Sequence, residues 1–145
     1  MLNFAKYFLR GLKNTLRLQN GVNFSYKGPW IPITADTLVD EWYVGDFAAA
    51  EYTIVIDVSN IRKEMIKCLV VAGSGKADIT IYGRTNINEN LVEITATISE
   101  SKLQLKAQPA SSPDGSTYDN SSLLLGGKLI FSATYFYSLN DLARV

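Results

Sequence analysis

Between residues 50 and 107 apolar and polar side chains alternate with little interruption, and this alternation confines most of the chain to sheet. Tyr52, Ile54, Ile56 and Val58 interleave with Thr53, Val55 and Asp57, and later Val92, Ile94, Ala96 and Ile98 interleave with Glu93, Thr95 and Thr97. A period of two sends one set of side chains to each face of a strand. A helix would need apolar residues three and four apart, so the pattern predicts half-buried strands. Asn60, Gly73-Ser74-Gly75 and the Asn-rich stretch 85–90 cut the run into segments. Strands are predicted at 37–44, 51–58, 64–71, 77–83, 91–99, 102–107 and 128–137, with a tight hairpin at Ser99-Glu100-Ser101. Short strands at regular spacing predict an all-β fold, an antiparallel β-sandwich of about seven strands. The last segment, Leu129 to Tyr137, is apolar along one face and mixed on the other, which places it centrally in a sheet or under a partner on both faces.

With 145 residues, 47% apolar and 19% charged, the chain can bury a core of its own as one domain. Its one cysteine, Cys68, stands in the apolar run Met65-Ile66-Lys67-Cys68-Leu69-Val70-Val71 and reads as a buried structural thiol in a protein made in a reducing cytoplasm. The net charge of zero conceals an uneven distribution. Lys6, Arg10, Lys13, Arg17 and Lys27 precede the first acid, Asp36, so residues 1–35 carry +5 and the rest, nine bases against fourteen acids, carries −5. The two parts are electrostatically complementary if copies meet head to tail. Lys6 and Arg10 interrupt both a membrane span and a secretory apolar stretch, and no later apolar run approaches the ~20 residues a spanning helix needs.

Residues 2–18 read as an amphipathic helix: Ala5, Phe8, Leu9, Leu12 and Leu16 recur at helical spacing, while Lys6, Arg10, Lys13 and Arg17 line another face. Gly11 weakens it by ~1 kcal/mol relative to alanine, and Asn20-Gly21 can stop it. Three readings compete for it: packing on its own domain or a neighbouring subunit, a membrane-surface helix or transit peptide, and nucleic-acid contact; the first is preferred because four bases on a helix ordinarily form a solvated face. Residues 22–37 contain Lys27-Gly28-Pro29-Trp30-Ile31-Pro32, which cannot continue a helix, and read as an extended arm. Trp30, with Phe24 and Tyr26 nearby, has two readings, an exposed and sticky ring or one that covers the bottom of the sandwich, and the second is preferred because so aromatic an arm must bury its rings somewhere. The organisation expected is therefore an N-terminal helix and arm over 1–36 and a β-sandwich over 37–145, with a long irregular stretch between Gln108 and Gly127.

Catalytic chemistry is sparse. Without histidine, Ser-His-Asp and Cys-His catalysis are excluded. Carboxylate-only mechanisms such as glycoside hydrolysis survive in principle, but the acids are expected singly on solvated faces. Ser74-Gly75-Lys76 lacks the earlier glycine of a phosphate loop, since Val70 stands there, and Asp114-Gly115 and Asp119-Asn120 lack calcium-loop spacing. No catalytic residue, cofactor or metal site is expected.

Glu41-Trp42-Tyr43-Val44-Gly45-Asp46-Phe47, Ala50-Glu51-Tyr52-Thr53-Ile54, Lys67-Cys68-Leu69-Val70-Val71, Ile79-Thr80-Ile81-Tyr82-Gly83 and Gly127-Lys128-Leu129-Ile130-Phe131-Ser132-Ala133-Thr134 together resemble a small β-module of virion structural proteins of contractile-tailed phages, notably those infecting marine cyanobacteria. The similarity spans roughly residues 40–140 and rests on strand order and a few aromatic and glycine placements. It implies a non-enzymatic building block of a tail, baseplate, neck or fibre attachment, made in the host cytoplasm and assembled into the virion. The implied partners are other virion proteins and copies of itself, as a homo-oligomer within the particle, with neither nucleic acid nor membrane. The helix and arm would then act as a clasp, and Phe8, Arg10, Leu12, Arg17 and Trp30 are the candidate partner-binding residues. Two alternatives stand beside it: a capsid decoration protein, and a carbohydrate-binding module in which Trp30, Trp42, Tyr43 and Tyr82 offer rings for stacking.

Overall fold

In the computed structural model of the chain, residues 23–110 and 126–138 are described. These residues form β1 (Asn23–Lys27), β2 (Ile31–Pro32), β3 (Thr37–Tyr43), β4 (Phe47–Ser59), β5 (Arg62–Gly73), β6 (Lys76–Asn86), β7 (Val92–Ser99), β8 (Lys102–Pro109) and β9 (Lys128–Tyr137), with no helix among them. All pairings are antiparallel. A large sheet has the order β1-β9-β4-β5-β6, with β2 continuing the β1 edge along β9, and a small sheet has the order β3-β8-β7. The seven expected strands are all present, and β9 is central, between β1 and β4. The expected helix over 2–18 and most of the irregular stretch lie outside the described residues.

The arm differs from expectation. Residues 23–27 and 31–32 are strand, hydrogen-bonded to β9. The prolines permit this because the two pieces form the sheet's outer edge, where a missing N–H costs no ladder bond. Between them the chain bends at Gly28, whose N–H donates to the Phe131 carbonyl at 3.0 Å. A Cβ on Gly28 would collide with the Phe131 ring, so glycine is required for this close approach.

The inward faces of the two sheets share one core. Tyr52, Ile54 and Ile56 of β4, Ile66, Cys68 and Val70 of β5, and Leu129, Phe131 and Tyr135 of β9 belong to the same buried cluster as Val39 and Trp42 of β3, Leu103 and Leu105 of β8 and Val92 and Ile94 of β7. Each aliphatic side chain fully buried there contributes about 1.5–3 kcal/mol. Cys68 is buried, as its apolar neighbourhood suggested.

Two of the hairpins close on two-residue turns with positive φ at both central positions. Ser74 and Gly75, with φ of 54° and 75°, join β5 to β6, so the segment resembling a phosphate loop is a sheet turn. Glu100 and Ser101, with φ of 52° and 65°, join β7 to β8. Positive φ at both central positions matches the twist of the flanking strands, but residues with a Cβ lose about 1–2 kcal/mol each in that conformation. Replacing Glu100 with asparagine and Ser101 with glycine is expected to raise unfolding stability by about 1 kcal/mol in urea titration. Unchanged or lower stability would contradict this account of the turn.

Candidate assembly surface

Four acids expected on solvated faces are instead buried: Asp40, Glu41, Asp46 and Glu64. Asp40 reaches the core because β3 carries a bulge between Leu38 and Asp40, which turns Val39 and Asp40 inward in succession. Its Oδ2 accepts hydrogen bonds from the Tyr52 hydroxyl at 2.7 Å and the Tyr135 hydroxyl at 2.6 Å. The Trp42 indole N–H donates to the Tyr52 oxygen at 2.9 Å. One carboxylate thus ties β3 of the small sheet to β4 and β9 of the large one.

Glu64 does the corresponding work where the chain crosses from β6 to β7. Its Oε2 accepts from Arg84 Nη1 at 2.8 Å and Asn86 Nδ2 at 3.1 Å, and its Oε1 accepts from the backbone N–H groups of Leu91 at 3.1 Å and Val92 at 3.3 Å. Arg84 also donates to the Val92 carbonyl at 3.1 Å. Both carboxylates are closed off from solvent, and Glu64 through both oxygens and Asp40 through Oδ2 accept only from groups of the protein, which is the chemistry of joining elements. Among the described residues no three metal-ligating side chains converge.

Burial also sets the alkaline behaviour. It pushes the Cys68 thiol from 9.0 up to about 12. It raises the Tyr52 and Tyr135 phenols well above 10.0, with the Asp40 charge as the next cause. In each case the neutral form is favoured in the folded state. The stability these groups contribute is therefore complete below their unfolded values, 9.0 and 10.0, and is lost as pH rises toward the folded ones. Alkaline titration should show a late fraction of the eight tyrosines, Tyr52 and Tyr135 among them, ionising together with loss of sheet circular dichroism. Ionisation of all eight with the fold intact would contradict the buried network.

The outer faces of the two sheets differ. That of the small sheet is polar, with Glu93, Thr95 and Thr97 exposed on β7 and Lys102, Gln104 and Lys106 partly exposed on β8. That of the large sheet exposes Met65 (41%), Leu69 (45%), Val71 (53%), Tyr82 (49%) and Phe136 (36%). Strand register arranges these residues in rows across the strands. One apolar row is Ile130-Val55-Met65, and at the other end lies Phe136-Ala49-Val71. Between them run Lys27-Ser132-Thr53-Lys67 and Ser25-Thr134-Glu51-Leu69, a polar band two residues deep, with Leu69 at one end. Tyr82 stands at a bulge in β6 and its phenol is raised above 10.0, first by desolvation and then by the Glu51 carboxylate. Beside the first apolar row, Ile61 and Ile87 are exposed, and Val55, Met65, Thr85 and Ile87 line a depression of about 230 Å³.

Of the predicted partner-binding residues, Phe8, Arg10, Leu12 and Arg17 lie outside the described residues. Trp30 is 49% exposed, contrary to the preferred expectation that its ring is buried; it lines a depression with Asp57, Gly126 and Lys128. The four rings considered for sugar stacking do not form one platform. Trp42 is buried, Tyr43 is half-buried beneath Lys102, and Trp30 and Tyr82 stand at opposite edges of the large sheet with β9, β4 and β5 between them. The exposed apolar rows were not predicted, although the run at 65–71 held a signal: Met65, Leu69 and Val71 are apolar on the face opposite Ile66, Cys68 and Val70.

No protein-family model and no curated protein matches the chain. Among solved structures, the tailspike protein of Acinetobacter baumannii phage AM24 is similar at 14% identity, over 81% of this chain and 26% of its own length, with a TM-score of 0.43. The tailspike protein of Acinetobacter phage vB_ApiP_P1 is similar at 7% identity, over 79% of this chain and 22% of its own, with a TM-score of 0.41. The chain thus spans about a quarter of the length of these tailspike chains.

Proposed function

We propose that this chain is a non-enzymatic structural component of a phage virion, tail-associated, that assembles through the outer face of its large sheet. The observation that carries the reading is the pair of apolar rows on that face, with Met65 and Val71 each more than two-fifths exposed. A sheet face of this kind in water is an interaction surface or an aggregation hazard, and residues of this type concentrate at the centres of interfaces. Two of the buried carboxylates, Asp40 and Glu64, serve to hold elements of the fold together. The resemblance of residues 40–140 to phage virion β-modules supplies the setting.

Mass spectrometry of particles purified from the phage that encodes the chain tests the reading. The expected result is the full chain in fixed stoichiometry to known tail proteins, with incorporation strongly reduced in a Met65→Lys/Val71→Lys variant. Its recovery only in the soluble lysate, with none in particles, would contradict it.

A further inference from the structure

We propose that the outer face of the large sheet is a two-fold interface between two copies of this chain, packed face to face. The axis would lie between the sheets and run along the polar band, crossing β4 between Glu51 and Thr53. This inference rests on the assembly part of the function proposed above and names the partner.

An axis in that position reverses strand direction but keeps strand order, so β4 of one copy lies antiparallel over β4 of the other. Residues on one side of the axis then meet those on the other. The row Ile130-Val55-Met65 covers the row Phe136-Ala49-Val71 of the second copy, and the reverse contact repeats it. Both apolar rows are buried by one operation, as an isologous interface requires. The polar bands meet each other at the centre. Lys67 faces Leu69 of the second copy and stands one strand away from its Glu51, so two Lys67–Glu51 contacts form symmetrically.

The charges of the face also argue against the other occupant at hand, the basic N-terminal segment. Lys27, Lys63, Lys67 and Lys128 lie on the outward side of the sheet with Glu51, Asp57 and Asp78, and Lys63 already pairs with Asp57 at 3.0 Å. A segment carrying Lys6, Arg10, Lys13 and Arg17 would meet more lysines than acids, whereas a second copy brings its Glu51 toward Lys67 and its Lys67 toward Glu51. The size is suitable. Four strands spaced ~4.8 Å and four rows spaced ~6.8 Å project roughly 500 Å² per copy, which for a corrugated side-chain surface approaches the ~800 Å² per partner of a standard interface.

The test uses the full chain in light scattering across a dilution series. Wild type is expected to dimerise. Glu51→Lys and Lys67→Glu should each weaken the dimer about tenfold, and the two together should restore it to within about threefold. A second arm places thiols at facing positions. With a short bis-maleimide, Ala49→Cys/Val55→Cys should yield a covalent dimer that neither single variant yields. Within one chain the two positions lie six residues apart along β4, about 20 Å, beyond the reach of a short reagent. Circular dichroism confirms that each variant folds. A monomer at every concentration overturns the inference, and if the chain is still found in particles, the structural role stands without it. An oligomer in which the charge exchange rescues nothing, or in which single variants cross-link as well as the pair, also overturns it and places the contact elsewhere.

Discussion

Replacing Asp40 with alanine should lower unfolding stability by about 3–5 kcal/mol, enough to threaten a domain whose total stability is of order 5–15 kcal/mol. The reason is local. Asp40 is fully buried and accepts from Tyr52 and Tyr135, both themselves buried. Hydrogen bonds to a charged acceptor contribute about 1.5–3 kcal/mol each, and removing the acceptor strands two phenolic donors in the core. Tyr52→Phe and Tyr135→Phe should each cost less, about 1.5–3 kcal/mol, since each leaves the carboxylate its other partner, with Tyr52→Phe the costlier because it also removes the acceptor of the Trp42 indole N–H. The triple variant Asp40→Ala/Tyr52→Phe/Tyr135→Phe should be less destabilised than the sum of its parts, because it leaves no stranded hydroxyl. Urea unfolding followed by circular dichroism reads all four. A loss under about 1 kcal/mol in Asp40→Ala would show that the network does not join the sheets as described.

The second large effect is expected at Glu64. Glu64→Ala removes the acceptor for Arg84, Asn86 and the N–H groups of Leu91 and Val92, and should cost about 3–5 kcal/mol. Glu64→Gln keeps the shape and one acceptor, but turns an amide donor toward either the guanidinium or the backbone donors; about 2 kcal/mol is expected. The loss should be uneven across the protein. Hydrogen exchange at Leu91 and Val92 should accelerate more than at the centre of β4, because these amides lose their acceptor directly. Uniform acceleration would mean that Glu64 contributes only to global stability and does not hold the crossover.

How much of this was legible in the sequence follows from what each feature depends on. Strand positions depend on alternation and turn residues, both local, so Tyr52, Ile54 and Ile56 announced the inward face of β4. The arm was misjudged because Pro29 and Pro32 argue against a central strand but not against an edge, and edge position is decided by β9, more than ninety residues away. The buried carboxylates were hidden for a similar reason. Asp40 breaks the alternation of β3 through a bulge, and its partners Tyr52 and Tyr135 are brought to it only by the packing of the two sheets. Glu64 sits on the inward phase of β5 beside Ile66 and Cys68, so its burial could have been inferred from phase alone. The outer face was partly legible. Met65, Leu69 and Val71 stand out from the run, but their alignment with Val55, Ala49, Ile130 and Phe136 needs the register of three strands.

The central claim is that the chain associates through the outer face of the large sheet. The most direct test is the molar mass of the purified full chain beside that of Met65→Lys/Val71→Lys, by light scattering at matched concentrations. The expected result is a defined oligomer for wild type and a folded monomer for the variant, with equal circular dichroism. A wild-type oligomer that the two lysines leave intact would contradict the claim.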